Sequence, residues 1–301
     1  MSVKKRIRFI INPISGIGKK NQLPDLIETF LDHDKYEYEI QLTEYRKHAR
    51  QIAINSSKEG FDIVCAVGGD GSVHEVGTGL INTNTTLAII PTGSGNGLAR
   101  HLKIPLEIIQ SIECINDGFT SKIDTVTANG TPFLGFGGFG FDAVVAKRFD
   151  EYHKRGFSSY IKLVFQEFFK YKAKETVITL DNKIIRGDYF LCSIANSSEL
   201  GNGFCLSPKS QLDDGKAELC LLKPVSFWSV PKLVLDFFTS KAHTNKNIEI
   251  HAFSTAKIQI KDSIAHFDGE PFEMANDIEI AIKSKSLNIL VGKKYHEIHR
   301  N

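Results

Sequence analysis

The chain has 301 residues, 42% of them hydrophobic and 24% charged, enough apolar material for one large or two ordinary globular domains. Lys and Arg total 37 against 35 Asp and Glu, a formal charge of +2, so no polyanion-binding field follows from the balance and a dedicated nucleic-acid binder is not expected. No run reaches the ~20 apolar residues that span a bilayer, and Lys4-Lys5-Arg6 leads into a short strand-like stretch rather than a signal peptide, so a cytoplasmic location is expected. Cys65, Cys114, Cys192, Cys205 and Cys220 are scattered and never spaced as CxxC; they are expected to be reduced and packed.

Up to about residue 125 strand-like and helix-like patterns alternate, which predicts a parallel sheet covered by helices. Arg6 to Ile11 reads as a strand, Leu23, Leu26, Ile27, Phe30 and Leu31 recur at helical spacing, Tyr36 to Thr43 alternates, and Ala49, Ile52 and Ala53 mark a second helix. Phe61 to Val67 is a continuous apolar run, followed by Gly68-Gly69-Asp70-Gly71 and a helix carrying Val73, Val76 and Leu80. Leu87 to Ile90 repeats the device, ending in Pro91-Thr92-Gly93-Ser94-Gly95-Asn96-Gly97 before another short helix. Strand, glycine-rich turn and helix form the unit with which α/β proteins hold phosphates.

After about Lys122 the texture turns β-rich, with strand-like segments at Thr176 to Leu180, Tyr189 to Ala195, Ala217 to Leu222, Ile248 to Ala252, Ile258 to Ile260 and Ile278 to Ile282. Helical patterns interrupt them over Ala143 to Tyr171, with a break near Gly156, and over Trp228 to Phe238. Hairpin signals at Asp181-Asn182 and Asp213-Asp214-Gly215 point to antiparallel pairing. The expected organisation is an α/β domain over 1–124 and a mainly antiparallel β domain over 125–286.

A Walker A loop is excluded, because the template around Gly18-Lys19 requires Gly at 13 and Ser or Thr at 20, where the chain has Pro13 and Lys20. Gly135, Gly137 and Gly140 fit GxGxxG, but in a phenylalanine-rich stretch where close backbone packing explains them better than a dinucleotide. At Gly68, Gly69, Asp70 and Gly71, glycines tolerate positive φ and let N–H groups approach an anion, while the acid offers a magnesium ligand or proton acceptor. The same residues also suit a tight turn whose Asp caps a helix. Thr92 to Asn96 forms a second nest of donors, and Asn12-Pro13-Ile14-Ser15-Gly16, ending the first strand, adds a third.

Taken in order, NPISG (Asn12 to Gly16), GGDGS around Asp70, PTGSGN (Pro91 to Asn96) with LAR (Leu98 to Arg100), and DGE (Asp268-Gly269-Glu270) resemble the diacylglycerol kinase catalytic family, which includes bacterial lipid kinases, sphingosine kinases and ceramide kinases. The resemblance implies an ATP-binding α/β domain related to phosphofructokinase and NAD kinase, a β-sandwich lipid-binding domain, and a return of residues 287–301 to the first. It implies ATP at the domain cleft, with Asn12, Pro13, Ser15, Gly16, Gly68, Gly69, Gly71, Ser72, Thr92, Gly93, Ser94, Gly95, Asn96 and Arg100 around the nucleotide and Asp70 on Mg²⁺. Asp268 and Glu270, two apart, would face one side of an extended strand, one accepting the hydroxyl proton and the other orienting it; whether Asp70 or Asp268 takes the proton stays open. The resemblance also places Asp124 and Asp142 at the substrate, with the Phe133 to Phe141 aromatics suited to an acyl-chain entrance, and a structural magnesium at Asp213 and Asp214. Lys154, Arg155 and Lys162 stand where the family places phosphate-binding cations, though a solvated helix face explains them as well. Three departures stand out: Ile17 replaces a lysine common in bacterial members, with Lys19 and Lys20 following, and the GSGN (Gly93 to Asn96) and HEV (His74-Glu75-Val76) spellings lean toward sphingosine kinases.

The expected activity is therefore ATP- and Mg²⁺-dependent phosphorylation of a lipid hydroxyl, first of all that of diacylglycerol, with a sphingoid base as the nearest alternative and a non-catalytic lipid or nucleotide carrier as the alternative of another class. With no myristoylation glycine after Met1 and no CaaX cysteine before Asn301, membrane contact is expected to be peripheral and reversible, drawn by basic residues and strengthened by the Phe133 to Phe141 aromatics. A homodimer is compatible with this reading.

Overall fold

The computed structural model describes residues 3–13, 22–151, 157–261 and 264–300. Ser15, Gly16, Ile17, Lys19 and Lys20, and likewise Lys154, Arg155 and Gly156, lie outside the described residues. The chain forms two units, Met1–Ile123 with Lys285–Asn301, and Asp124–Ser284.

The first unit alternates strand and helix: β1 (Lys5–Ile11), α1 (Leu23–Phe30), β2 (Tyr36–Leu42), α2 (His48–Lys58), β3 (Ile63–Gly68), α3 (Asp70–Leu80), β4 (Thr86–Pro91), α4 (Gly97–His101) and α5 (Ile108–Asp117). Its strands pair in parallel in the order β2-β1-β3-β4. Every residue of β3 is buried, because helices cover both faces of a parallel sheet; this is why the strand reads as an unbroken apolar run. Leu23 and Ile27 of α1 and Ile112 and Ile115 of α5 pack with Ile7, Phe9, Ile11, Cys65 and Val67 in one core. Pro24 opens α1, where its missing N–H costs nothing, and Gly118 at φ +70° closes α5.

The second unit contains β5 (Thr120–Ala128, entering from the first unit), β6 (Thr131–Phe133), β7 (Phe136–Gly138), α6 (Phe141–Glu151), α7 (Phe157–Phe168), β8 (Lys174–Leu180), β9 (Lys183–Tyr189), β10 (Leu191–Ala195), β11 (Glu199–Gly201), β12 (Phe204–Cys205), β13 (Ala217–Leu222), α8 (Val230–Phe238), β14 (Ile248–Phe253), β15 (Thr255–Ile260), β16 (Ile264–Phe267), β17 (Glu270–Glu273) and β18 (Asp277–Leu290). One sheet is antiparallel in the order β14-β13-β10-β7-β16-β17. The other runs from the first half of β18 through β15 and β8 to β9, also antiparallel. Ile178, Ile258 and Ile280 of the second sheet share a core with Ile194, Leu219, Leu221 and Phe267 of the first. The opposite face of the six-stranded sheet presents Phe136, Ala195, Cys220 and Leu222 to Phe141 and Val145 of α6 and Leu233 and Phe237 of α8. The fold class expected from the sequence, an α/β domain followed by an antiparallel β-sandwich, is the one observed.

β18 is 14 residues long: its first half pairs with β15, and from Lys285 it belongs to the first unit, where Ile289 pairs in parallel with Leu87 of β4. α9 (Lys293–Ile298) follows, burying Tyr295.

Two local expectations are corrected. Tyr189 to Ala195 is the end of β9 and the whole of β10, broken at Phe190, because there the chain leaves the sheet in which β9 pairs with β8 and enters the one in which β10 pairs with β13 and β7. Asp213-Asp214-Gly215 does not join a hairpin; it ends an irregular loop that Gly215 anchors by donating its N–H to Asp124 Oδ2 at 2.6 Å.

Candidate functional site

Parallel pairing brings the carboxyl ends of β1, β3 and β4 to one edge of the first unit, with Asn12 and Pro13, the Gly68 to Ser72 segment and the Thr92 to Asn96 loop following them. Gly68 pairs with Pro91, and Thr92 donates its N–H to Gly68 O at 2.9 Å. Beyond that pair the two loops touch backbone to backbone. A Cβ on Gly93 would stand 2.4 Å from Gly69 Cα, and one on Gly69 would stand 3.1 Å from Gly93 Cα. The expectation that these glycines serve positive φ is corrected: none of Gly68, Gly69, Gly71, Gly93 or Gly95 adopts it, and the left-handed residue of the loop is Asn96, at φ +55°. Here glycine is required for close approach.

Asp70 holds the two loops together. It opens α3, yet its carboxylate accepts the Asn96 N–H on Oδ2 and the Gly97 N–H on Oδ1, both at 2.8 Å, capping α4 rather than its own helix. Asn96 completes the clip, donating from Nδ2 to Gly93 O at 2.8 Å and accepting the Gly93 N–H on Oδ1 at 3.2 Å. Arg100 donates from Nε to Gly95 O at 3.0 Å, while Gly71 and Ser72 occupy the first turn of α3, where helix N–H groups lack intrahelical acceptors. Thr92 Oγ1 is buried with no hydrogen-bond partner among the described residues. Side-chain-free glycine contacts, helix-start N–H groups and an unsatisfied hydroxyl form a surface with the chemistry of a phosphate site. Glu75, noted in the sequence only as part of the HEV spelling, accepts the Lys47 and Ala49 N–H groups at 2.9 and 3.1 Å and so fixes the start of α2.

In the second unit, Asp268 and Gly269 are the two loop residues of the β16–β17 hairpin, at φ +51° and +87°, as a two-residue primed turn requires. The expectation of two acids facing one side of an extended strand is corrected, since only Glu270 is in the strand. The Asp268 carboxylate accepts three main-chain N–H groups, from Leu134 on Oδ2 at 2.9 Å and from Gly135 and Phe136 on Oδ1 at 2.7 and 3.0 Å. Its own N–H returns to Phe136 O at 2.8 Å, so the turn is locked to the 134–136 segment.

Asp142, at the start of α6, receives the Ser193 hydroxyl and sits 3.3 Å from His266 Nε2; the Gly140 and Ala143 N–H groups add to Oδ1 at 3.2 and 3.0 Å. His266 is 5% exposed, and its Nδ1 is buried without a partner among the described residues. Gly138 clears the space for this pair, since a Cβ there would fall 2.0 Å from Asp142 Oδ2. Ser193 and His266 were not found from the sequence, because they lie 51 and 124 residues from Asp142. Asp124 is fully buried and holds the loop of Asp213 and Asp214 through Gly215. Among the described residues no three His, Cys, Asp or Glu side chains gather into a metal site, and Asp214 turns Oδ1 to the Lys216 N–H at 3.0 Å.

The Phe133 to Phe141 aromatics are not an entrance or an insertion surface, which corrects that expectation. Phe133, Phe136, Phe139 and Phe141 are at most 8% exposed, and Phe133 stacks on Phe267 with centroids 5.1 Å apart inside the sandwich. Gly137 carries the tight packing expected of the GxGxxG stretch, a Cβ there meeting Phe133 at 2.9 Å. Among the described residues no helix is long and apolar enough to cross a membrane.

Residues 6–128 match the diacylglycerol kinase catalytic domain, and residues 135–291 match the YegS C-terminal NAD kinase beta sandwich-like domain. A diacylglycerol kinase of Staphylococcus haemolyticus is 30% identical over 227 residues, covering 73% of this chain and 68% of its own. A diacylglycerol kinase of Bacillus anthracis superposes with a TM-score of 0.74 at 19% identity, covering 97% of this chain and 98% of that one. An NAD kinase of Archaeoglobus fulgidus, solved in complex with ATP, superposes at 0.55 and 12% identity over 98% of this chain and 97% of its own, a likeness of fold. On the two domain matches and the Staphylococcus relative, the chain belongs to the diacylglycerol kinase catalytic-domain family.

Proposed function

We propose that this chain is an ATP- and Mg²⁺-dependent lipid kinase that transfers the γ-phosphate to the primary hydroxyl of diacylglycerol, yielding phosphatidic acid and ADP. The observation that carries the reading is the Gly69–Gly93 contact clipped by Asp70, with the Thr92 hydroxyl buried and unsatisfied in the same loop. Such a backbone surface suits nucleotide phosphates. Family members named diacylglycerol kinase support the acceptor.

In the reaction the lipid oxygen bonds to the γ-phosphorus, the bond from that phosphorus to the β,γ-bridging oxygen breaks, and ADP leaves with the electron pair. The hydroxyl proton passes to a carboxylate. Asp268 takes this role in the proposal, its orientation set by three N–H bonds, with Glu270 as the partner that orients the hydroxyl. Asp70 suits Mg²⁺ that arrives with the nucleotide, an ion ordinarily held by one or two carboxylates plus phosphate oxygens, whose charge would offset that developing on the phosphates. Asp142, with His266 and Ser193, is the polar group assigned to the lipid headgroup, and the GSGN and HEV spellings with this acid favour a sphingoid base as the second reading.

The test is transfer of labelled γ-phosphate from ATP to a total lipid extract, with the product identified by mass spectrometry. Phosphatidic acid is expected. A labelled sphingoid base alone would select the second reading, and no labelled lipid in the presence of Mg²⁺ would leave a carrier.

A further inference from the structure

α8 is apolar on two faces. Leu233 and Phe237 enter the core, while Val234, Leu235 and Phe238 are 39%, 60% and 44% exposed. A helix apolar all round is normally covered. Just before it, Phe227 is 44% and Trp228 87% exposed; on α7 and directly after it, Phe165 and Phe169, four residues apart on one face, are 50% and 66% exposed. The rings of Phe169 and Phe227 lie 5.2 Å apart, which joins the two segments into one patch. Exposed aromatics on this scale mark an interaction surface.

The charge around the patch is one-sided. Residues 162–174 and 223–247 together carry eight lysines and only two acids, Glu167 and Asp236, against near balance in the whole chain. Both acids are buried, 7% and 6% exposed, and ion-paired to Lys170 and Lys232 at 3.0 and 2.8 Å, and Lys223 is paired with Glu249, just past the second segment, at 2.7 Å, which leaves Lys162, Lys172, Lys174, Lys241 and Lys246. The outward charge in these segments is therefore positive. A second copy of the chain docked here by a two-fold axis would bring one lysine array against another. An anionic bilayer offers what the patch lacks, negative headgroups for the lysines and an apolar layer for the aromatic and aliphatic side chains.

We infer that the patch built from the end of α7, the Phe227-Trp228 turn and the outer face of α8 docks this protein onto an anionic lipid bilayer. This rests on the lipid-kinase reading for its purpose, and it moves the membrane contact from the buried Phe133 to Phe141 stretch to a different surface.

Trp228 is the only tryptophan in the chain, so its fluorescence reports the patch directly on the unaltered protein. With phosphatidylcholine vesicles containing phosphatidylglycerol, its emission should shift to the blue and be quenched by brominated acyl chains, with binding at least about ten-fold tighter than to phosphatidylcholine alone and weakened by salt. Phe169→Asp and Leu235→Asp, both at exposed positions, should abolish the shift on vesicles while preserving turnover of a short-chain, water-soluble diacylglycerol. Emission unchanged by anionic vesicles overturns the proposal. So does a blue shift that grows with protein concentration without lipid, which would mean that a second copy covers the patch. If the unaltered protein phosphorylates no lipid, the kinase reading fails, and the fluorescence result still decides the docking surface.

Discussion

Asp70 and Asp268 do similar physical work in different units: each uses both carboxylate oxygens to gather main-chain N–H groups from a segment distant in sequence. Removing either acid therefore removes a brace as well as the group to which the proposed reaction gives a role. Asp70→Ala should uncap α4 at a cost of roughly 0.5–2 kcal/mol and collapse turnover without rescue by excess lipid; thermal unfolding and lipid phosphorylation, measured on the same preparation, check both. Unchanged rate and magnesium dependence would reduce the GGDG segment to a turn. Asp268→Asn presents an amide NH₂ toward N–H donors, so a fall of about 10²–10⁴ in kcat is expected with ATP affinity kept, measured by turnover and by calorimetric titration of nucleotide. Near-normal turnover would reject Asp268 as the proton acceptor. These acids stood out in the sequence, but their partners did not. The spacing of Asp268 and Glu270 suggested a strand, whereas Asp-Gly between apolar segments is also the signal of a two-residue hairpin turn, and that competing rule won.

At the scale of elements, the loops between strand and helix in the first unit owe their shape to an absence of side chains. Gly93→Ala would push a methyl into Gly69 Cα, a backbone atom that cannot rotate away, so a loss of about 1–3 kcal/mol and of nucleotide binding is expected, readable by denaturant unfolding and by titration with an ATP analogue. A Ser94→Ala substitution in the exposed part of the same loop should leave stability unchanged and so separates packing from phosphate contact. β3 and β4 were legible because strands buried on both faces spell apolar runs between glycine turns, and β2, at the sheet edge, because it alternates. α5 carries the same kind of signal in Ile108, Ile112, Ile115 and the stop at Gly118, but no glycine-rich loop marks its start. The Phe133 to Phe141 run misled for a different reason: aromatic density says that a surface is apolar, and says nothing about which side of a sheet it faces. β18 was read only to Ile282 because Lys283, Ser284 and Lys285 are exposed, with Lys285 at φ +49°, although the strand continues to Leu290.

For the whole molecule, the order of the elements was readable and the pairing of the sandwich was not, because β7, β10, β13 and β16 become neighbours across long stretches of chain. One consequence of that pairing is a carboxyl group buried in the sandwich, with Lys216 as only a minor opposing charge. Glu218 of β13 lies opposite Ala195 of β10, is 7% exposed, and accepts the Ser210 hydroxyl; burial pushes its pKa up to about 7. The folded chain therefore holds this proton up to about pH 7, whereas the unfolded chain releases it near 4.5, the ordinary value. Between those limits the folded state binds more protons, so the contribution of Glu218 to stability is full below pH 4.5 and is lost as the pH rises through 7. Glu218→Gln keeps an acceptor for Ser210 and cannot ionise. It should raise the unfolding temperature at pH 8 by roughly 3–8 °C and leave it nearly unchanged at pH 4, measured by calorimetry at both values. Equal shifts at the two pH values would assign the effect to packing of the amide and would remove titration of Glu218 as a source of instability in the sandwich.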